Sequence, residues 1–346
     1  MMVSAESLPR LWPLIFLGSI VLLMISIVTG LMFGAVPISL EQIVSWLTFT
    51  DVDNGDFSHV ILEQLRLPRT LLAVVVGAVL ASSGAVTQGL FRNPLADPSL
   101  IGVSAGASAG ASIAIVLLQP SGASLMGLSI VSVAAFAGSC IVVVLVYRLA
   151  TNTQGTSVAT MLLAGIALTF LAGSLTSLLE FLADNTMLRR ISLWRMGGLD
   201  AANGSRLLLV TVIGFISIAV FYRYRYALNA LLLGESEARH LGINVDRVKF
   251  HIILCVAAAV GVSVAVAGTI AFIGLVVPHV IRIIVGPNHR YLIPLSATLG
   301  AALLVNADTL SRLVLAPTEL PVGLVTAAIG APMFISLLRR RSAYGS

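Results

Sequence analysis

Runs of about 20 residues without a single charge recur along this chain, and they restrict its fold more than any motif does. Leu11 to Phe33, Thr70 to Phe91 and Leu320 to Leu338 are three of them. A helix needs roughly 20 mostly apolar residues to cross the hydrocarbon core of a bilayer, so each run fits one crossing. The uncharged stretch from Ser99 to Tyr147 is too long for one helix, and Gln119-Pro120-Ser121-Gly122 divides it. Leu149 to Leu179, Leu207 to Tyr222, Phe250 to Ile281 and Tyr291 to Ala307 supply the remainder, with a break expected in the Phe250 run at Gly274 to Pro278. The count is about ten spans in an all-α membrane protein. With 58% hydrophobic and 10% charged residues over 346 positions, no single water-soluble core can hold this apolar surface.

The formal charge of +5 is carried by arginine, because Lys249 is the only lysine. Basic residues concentrate in cytoplasmic loops of membrane proteins, so the charge reports orientation, and it calls for no nucleic-acid partner. With ten spans and the N-terminus inside, thirteen of the 20 basic residues fall on the cytoplasmic side, which favours both termini there. The reading is one transmembrane unit over 1–346, with a cytoplasmic N-terminus (1–10), an outer loop (37–63) and a cytoplasmic polar segment (223–249). Ile38 to Leu47 has apolar residues near helical spacing and reads as a short helix on the membrane surface; Asp51, Asp53, Asn54, Gly55 and Asp56 follow as a solvated stretch. The first apolar run is longer than a signal-peptide core, so it is expected to remain as a span.

An internal repeat is visible. Ser83-Gly84-Ala85-Val86 leads to Pro94 at the spacing by which Ala267-Gly268-Thr269-Ile270 leads to Pro278, and Leu100 to Ala105 is echoed by Leu292 to Ala297. The first span of each pair runs in the opposite direction to its counterpart, which is the inverted plan of many transporters. Gly102, Gly106 and Gly110 recur every fourth residue beside Ser104, Ala107 and Ser108, giving one helix face with little bulk for close packing or for lining a path. Cys140 and Cys255 lie in apolar runs and are read as small hydrophobes without a disulfide.

The chemistry that is missing is equally informative. A P-loop needs lysine after glycine, yet Lys249 follows Val248. No H-E-x-x-H or paired-cysteine pattern occurs, and the five histidines are scattered, so neither catalytic nor metal-ligating residues are assigned. His279 is read as a packed structural residue. Glu180, Asp184, Asp308 and Arg312 fall near outer ends of spans. Ion-coupled pumps hold ionisable groups near the midplane, so this distribution argues for an external energy source. An ion-coupled secondary transporter remains the competing class, since it explains an inverted repeat equally well.

The most informative polar island is Gly234-Glu235-Ser236-Glu237-Ala238-Arg239-His240-Leu241-Gly242, continuing to Val248. It predicts a short helix stopped at Gly242, placed between spans on the cytoplasmic side. A compact charged helix-turn element of this kind suits docking into a partner, or a solvated loop.

Several stretches together resemble the FecCD family of permease subunits from ATP-binding-cassette importers for iron chelates, haem and cobalamin. They are Leu65-Arg66-Leu67-Pro68-Arg69-Thr70-Leu71, Gln88 to Pro98 with Leu100 to Ser104, Gly234 to Gly242, Phe272 to His279, and Glu319-Leu320-Pro321-Val322-Gly323 with Gly330-Ala331-Pro332. The resemblance implies an inverted-repeat permease of ten spans in a bacterial inner membrane. It also implies a second permease subunit in a homodimer, an ATPase dimer that binds ATP and magnesium, and a periplasmic substrate-binding protein. This chain would then be no enzyme and hold no cofactor of its own. The family's coupling helix maps onto Gly234 to Gly242, with Glu235, Ser236, Glu237, Ala238, Arg239, His240 and Leu241 between. By position, Arg66, Arg69 and Arg312 are its outer arginines that dock the binding protein.

Within the family, Gly89 to Pro98 looks most similar to the haem importers. Arg189 and Arg190, on the outer side, are candidates to pair with carboxylates of haem or of an anionic ferric siderophore. A docking or solubilising role for the pair stands beside this, and cobalamin is the alternative cargo.

Overall fold

The computed structural model describes residues 8–48, 58–118, 124–125, 128–153 and 155–343. The first half of the chain contains α1 (Leu8–Met32), α2 (Leu40–Thr48), α3 (Ile61–Leu90), α4 (Val103–Leu118), α5 (Ile130–Ala150), α6 (Val158–Leu182) and α7 (Asn185–Met196). The second half contains α8 (Gly204–Arg223), α9 (Arg225–Leu231), α10 (Glu235–His240), α11 (Val245–Ala267), α12 (Ile273–Val285), α13 (His289–Leu313) and α14 (Val322–Ala343). Two minimal antiparallel hairpins join them, β1 (Ser124–Leu125) with β2 (Leu128–Ser129) and β3 (Thr151–Asn152) with β4 (Gly155–Thr156).

Among the described residues, seven helices have the length and apolarity to cross a membrane, and α4, α12 and the Val322–Ser336 part of α14 are shorter apolar helices. Together they account for the ten expected spans. Helices α3, α11 and α13 are mostly buried inside the bundle, while α1, α5, α6 and α8 expose large side chains such as Phe170, Phe181 and Phe215. A helix that is apolar all round and exposed on one side must face lipid there.

Packing shows the inverted repeat directly. Helix α3 packs on α12 and α13, and its counterpart α11 packs on α4 and α5. The contacts α4–α5, α4–α6 and α5–α6 are matched by α12–α13, α12–α14 and α13–α14. Spans α3, α4, α5 and α6 thus correspond to α11, α12, α13 and α14, which run the opposite way. The sequence repeat pairs α3 with α11 but out of register: Ser83 to Val86 lie inside α3 with Pro94 in the link beyond it, whereas Gly268 ends α11 and Pro278 lies inside α12. Its second part does not hold: Leu100 to Ala105 opens α4, but Leu292 to Ala297 lies in α13 instead of α12.

Glycines set the closest approaches. A Cβ on Gly106 would come within 2.5 Å of the Gly138 carbonyl oxygen, and one on Gly138 within 2.3 Å of that of Gly106, so α4 and α5 touch backbone to backbone. Gly77 and Gly300 do the same for α3 and α13. The glycine face of α4 is therefore a packing face.

Two boundaries differ from the sequence reading. The break after α11 falls at Gly268 to Phe272, and Pro278 lies inside α12. Pro278 has no N–H for the carbonyl four residues back, Gly274, and α3 crosses there at Gly84, whose Cβ would lie 1.8 Å from that oxygen. Helix α3 also starts well before Thr70, in a π-helical first turn Ile61–Arg66, so Glu63, Arg66 and Arg69 belong to the helix. The surface helix expected over Ile38 to Leu47 is α2; the acidic stretch after it and the Gln119 to Gly122 divider lie outside the described residues.

Candidate functional site

The links between helices gather at two opposite ends of the bundle. At one end α10 is held by two side chains of α11, which also reach the backbone of β4. Gly234 (φ +130°) and Gly242 (φ +79°) turn the chain sharply on either side of it, conformations that favour glycine. Lys249, almost fully buried in α11, places Nζ 2.6 Å from Glu235 Oε1 and donates to the Thr156 carbonyl, also at 2.6 Å. Arg239 pairs with Asp246 at 2.9 Å, and Asp246 Oδ1 accepts from Thr156 N at 3.4 Å. Asn229 in α9 completes the end: its Oδ1 accepts from His289 N, and its Nδ2 donates to Asn288, both at 2.9 Å. Ala238 is the buried contact of α10, whereas Ser236, Glu237, Arg239, His240 and Leu241 are exposed. The result is a rigid polar surface with exposed Leu233 and Leu241 at its edges, fixed to α11, β4 and the α12–α13 link.

At the opposite end the three outer arginines have internal partners. Arg66 donates to the carbonyls of Leu31 at 2.6 Å, Met32 at 2.9 Å, and Val36. Arg312 donates to Phe33 O at 3.0 Å and Gly30 O at 2.9 Å, and pairs with Asp308 at 3.2 Å. The last carbonyls of a helix have no partner within it, and two guanidinium groups supply them for α1. Arg69 bridges Asp308 at 2.8 Å and Glu319 at 2.6 Å. Glu319 is the exposed member of this cluster; Arg66 and Arg312 are buried.

Between these ends lies a cavity of about 710 Å³, bounded by α3, α4, α6, α7, α11 and α12. Its polar lining includes Asp97, Ser99, Ser104, Ser108, Glu180, Ser192, Arg195 and Thr269. Ser104 and Ser108 come from the face of α4 beside its glycines. Arg195 pairs with Glu180 at 2.9 Å while its own carbonyl accepts from Thr269 Oγ1. Asp97 caps a short helical turn by accepting from Ser99 N at 2.8 Å, and sits beside Gly274, at the level of Leu80 in the middle of α3. The sequence reading kept ionisable groups to the outer ends of spans; Asp97 instead lies at mid-helix depth, where a carboxylate needs water or polar partners around it.

Of the residues singled out in the sequence, Arg189 and Arg190 are both exposed on α7, and neither lines this cavity. Arg195, one and a half turns further on, does. His279 is buried with Nδ1 3.2 Å from Pro94 O. Asp97 and Arg195 were missed as site residues. The sequence signal for Asp97 was present, an aspartate before proline between two long uncharged runs, but nothing in one dimension shows that its link dips into the bundle.

The profile of the FecCD transport family matches residues 22–340. The chain belongs to the FecCD transport family. Among characterised FecCD relatives, the hemin transport system permease protein HmuU of Yersinia pestis is 41% identical over 96% of this chain and 97% of its own. The cobalamin import system permease protein BtuC of Halobacterium salinarum is 46% identical over 82% of this chain and 74% of its own. The iron(3+)-hydroxamate import system permease protein FhuB of Bacillus subtilis is 37% identical over 94% and 83%. Among solved structures, an ABC transporter assigned to the metal-chelate type, in an inward-facing conformation, superposes with a TM-score of 0.82 at 31% identity, covering 95% of this chain and all of the other.

Proposed function

We propose that this FecCD chain is the membrane-spanning permease of an ATP-driven importer for haem or another ferric chelate, working as a homodimer in a bacterial inner membrane. Both termini are cytoplasmic, so the α9–α10 end faces the cytoplasm. The observation that carries the reading is the surface around α10. A docking helix transmits force only if it is rigidly joined to the spans; Lys249 and Asp246 join this one to α11 and β4, and Asn229 joins the preceding α9 to the α12–α13 link. An ATPase dimer holding ATP and magnesium seats against Ser236 to Leu241, and its closure moves α11 to α13 relative to α3 to α6. Two distant sites are then coupled through one bistable assembly. No covalent step falls to this chain.

The cargo enters from the end opposite α10, delivered by a binding protein. Of the outer cluster, Arg69 and Glu319 are placed to meet that protein's surface, while Arg66 and Arg312 hold the rim in shape behind them. Within the cavity Arg195 is the cation that faces cargo, so direct contact passes from Arg189 and Arg190 to this residue. It offers a guanidinium fork to carboxylates of haem or a siderophore, with Glu180 holding it in place meanwhile. The full-length match to the hemin permease favours haem; the higher local identity to the cobalamin permease keeps cobalamin as the second cargo to be tried.

The test is uptake into proteoliposomes holding the permease with its copurified ATPase, offered binding protein loaded with haem, ferric siderophore or cobalamin in parallel. Uptake of one ligand that requires ATP is the expected result. Uptake by this chain alone, driven by an ion gradient, overturns the reading in favour of a secondary transporter.

A further inference from the structure

A second cavity of about 340 Å³ opens at the end of the bundle opposite α10 and shares no lining residue with the central one. Two guanidinium groups line it, Arg190 and Arg206, together with Ser129, Ser132, Trp194 and Asp200. Ser129 caps α5 by accepting from Ser132 N, and Asn203 caps α8 by accepting from Arg206 N at 2.9 Å. The first turns of two long helices therefore meet at this pocket, each presenting the positive end of its dipole. Arg206 Nη2 reaches Ser129 Oγ at 3.3 Å, but its Nε is buried and has no hydrogen-bond partner among the described residues. Arg206 is half-buried, and its Nε is a donor that an anion in the pocket would satisfy. Among the described residues Asp200 is the single carboxylate lining the pocket; it acts on Arg206, and the two guanidinium groups outweigh it, so the balance stays positive. The carbonyl of Ala267 at the end of α11 is already taken by Gly198 N at 2.9 Å, leaving little negative potential to oppose an anion.

The surroundings decide which anion. Ile115, Val131, Leu193 and Val266 supply apolar walls, Leu117, Leu118 and Leu208 are exposed on the same helices, and Trp194 stands at the rim. Charged ends of spans with exposed leucines below and a tryptophan beside them have the composition of a membrane–water interface. We infer that this pocket binds the phosphate of an anionic phospholipid headgroup, held by Arg190 and Arg206 over the N-termini of α5 and α8. Because Leu193 and Trp194 adjoin Ser192 and Arg195 on α7, a bound lipid also steadies the helix that walls the central cavity. The inference is independent of which cargo the chain carries.

The experiment is native mass spectrometry of the purified protein offered phosphatidylglycerol, phosphatidylcholine or inorganic phosphate. The wild-type protein is expected to retain phosphatidylglycerol selectively. That retention should weaken in Arg190→Gln, whose side chain is exposed and leaves the fold intact, and vanish in the Arg190→Gln, Arg206→Gln double variant, with folding checked by its melting curve. Equal retention by Arg190→Gln and wild type overturns the inference. Retention of inorganic phosphate without lipid preference gives the pocket to free phosphate and overturns the lipid assignment. Unchanged lipid retention with lost capture of the binding protein makes it a protein-docking pocket, and overturns it as well.

Discussion

Lys249 Nζ lies 2.6 Å from Glu235 Oε1, and the same nitrogen donates to the Thr156 carbonyl, so the only lysine in the chain joins α10, α11 and β4 at one point. Glu235 is partly exposed and regains water when the lysine is lost, so Lys249→Met should lower stability by only about 1–2 kcal/mol. Transmission should suffer far more than stability. The expected outcome is an assembled complex whose ATP hydrolysis persists while cargo uptake falls at least severalfold, read from paired ATPase and uptake assays on one preparation.

Gly84→Ala should destabilise the bundle strongly, since its Cβ meets the Gly274 backbone at 1.8 Å and backbone cannot swing aside. Overpacking of this kind costs about 1–3 kcal/mol or more. Gly173→Ala, with nothing within 4 Å, should leave the melting temperature unchanged. Thermal unfolding of the two variants in one detergent checks the contrast; similar melting would contradict the close α3–α12 crossing.

Arg66→Ala and Arg312→Ala strand the carbonyls at the end of α1, and each should cost about 2–4 kcal/mol and depress folded yield. Arg69→Ala leaves Asp308 its partner Arg312, so this variant should stay folded and lose capture of the binding protein instead. Pull-down with loaded binding protein, beside size-exclusion profiles, separates the two effects.

Arg195→Gln should reduce uptake of a carboxylate-bearing cargo by at least tenfold, about 1.4 kcal/mol in the transport barrier. Haem with both carboxylates esterified should be carried poorly by the wild type and no worse by the variant. If ester and acid are carried equally by the wild type, Arg195 does not read carboxylates.

Asp184 caps α7, accepting from Thr186 Oγ1 and Met187 N, and these bonds hold its carboxyl below the usual range. A depressed folded value means the cap is fully present above the unfolded value of about 3.9 and is lost as pH falls through the folded one. Protection of the amides at the start of α7, taken relative to their intrinsic exchange, should therefore fall on acidification below about pH 4, and Asp184→Asn should remove that dependence while keeping the cap.

The sequence by itself determined how many times this chain crosses a membrane, the inverted order of its halves and the position of α10. Those features rest on local quantities: run length against bilayer thickness, charge by loop, and glycines that stop a short helix. Only the tertiary structure decided which arginines serve what. Arg66 and Arg312 look in sequence like outer-face charges, yet α1 ends against them and consumes their donors. Arg189, Arg190 and Arg195 are near neighbours in one helix, yet Arg190 and Arg195 line different cavities because helical rotation sends them to different neighbours. Asp97 became a site residue only when its link was seen to fold back against Gly274. A charge acquires its role from the carbonyls and carboxylates brought to it by segments hundreds of residues away, and hydropathy along one dimension carries no record of those meetings.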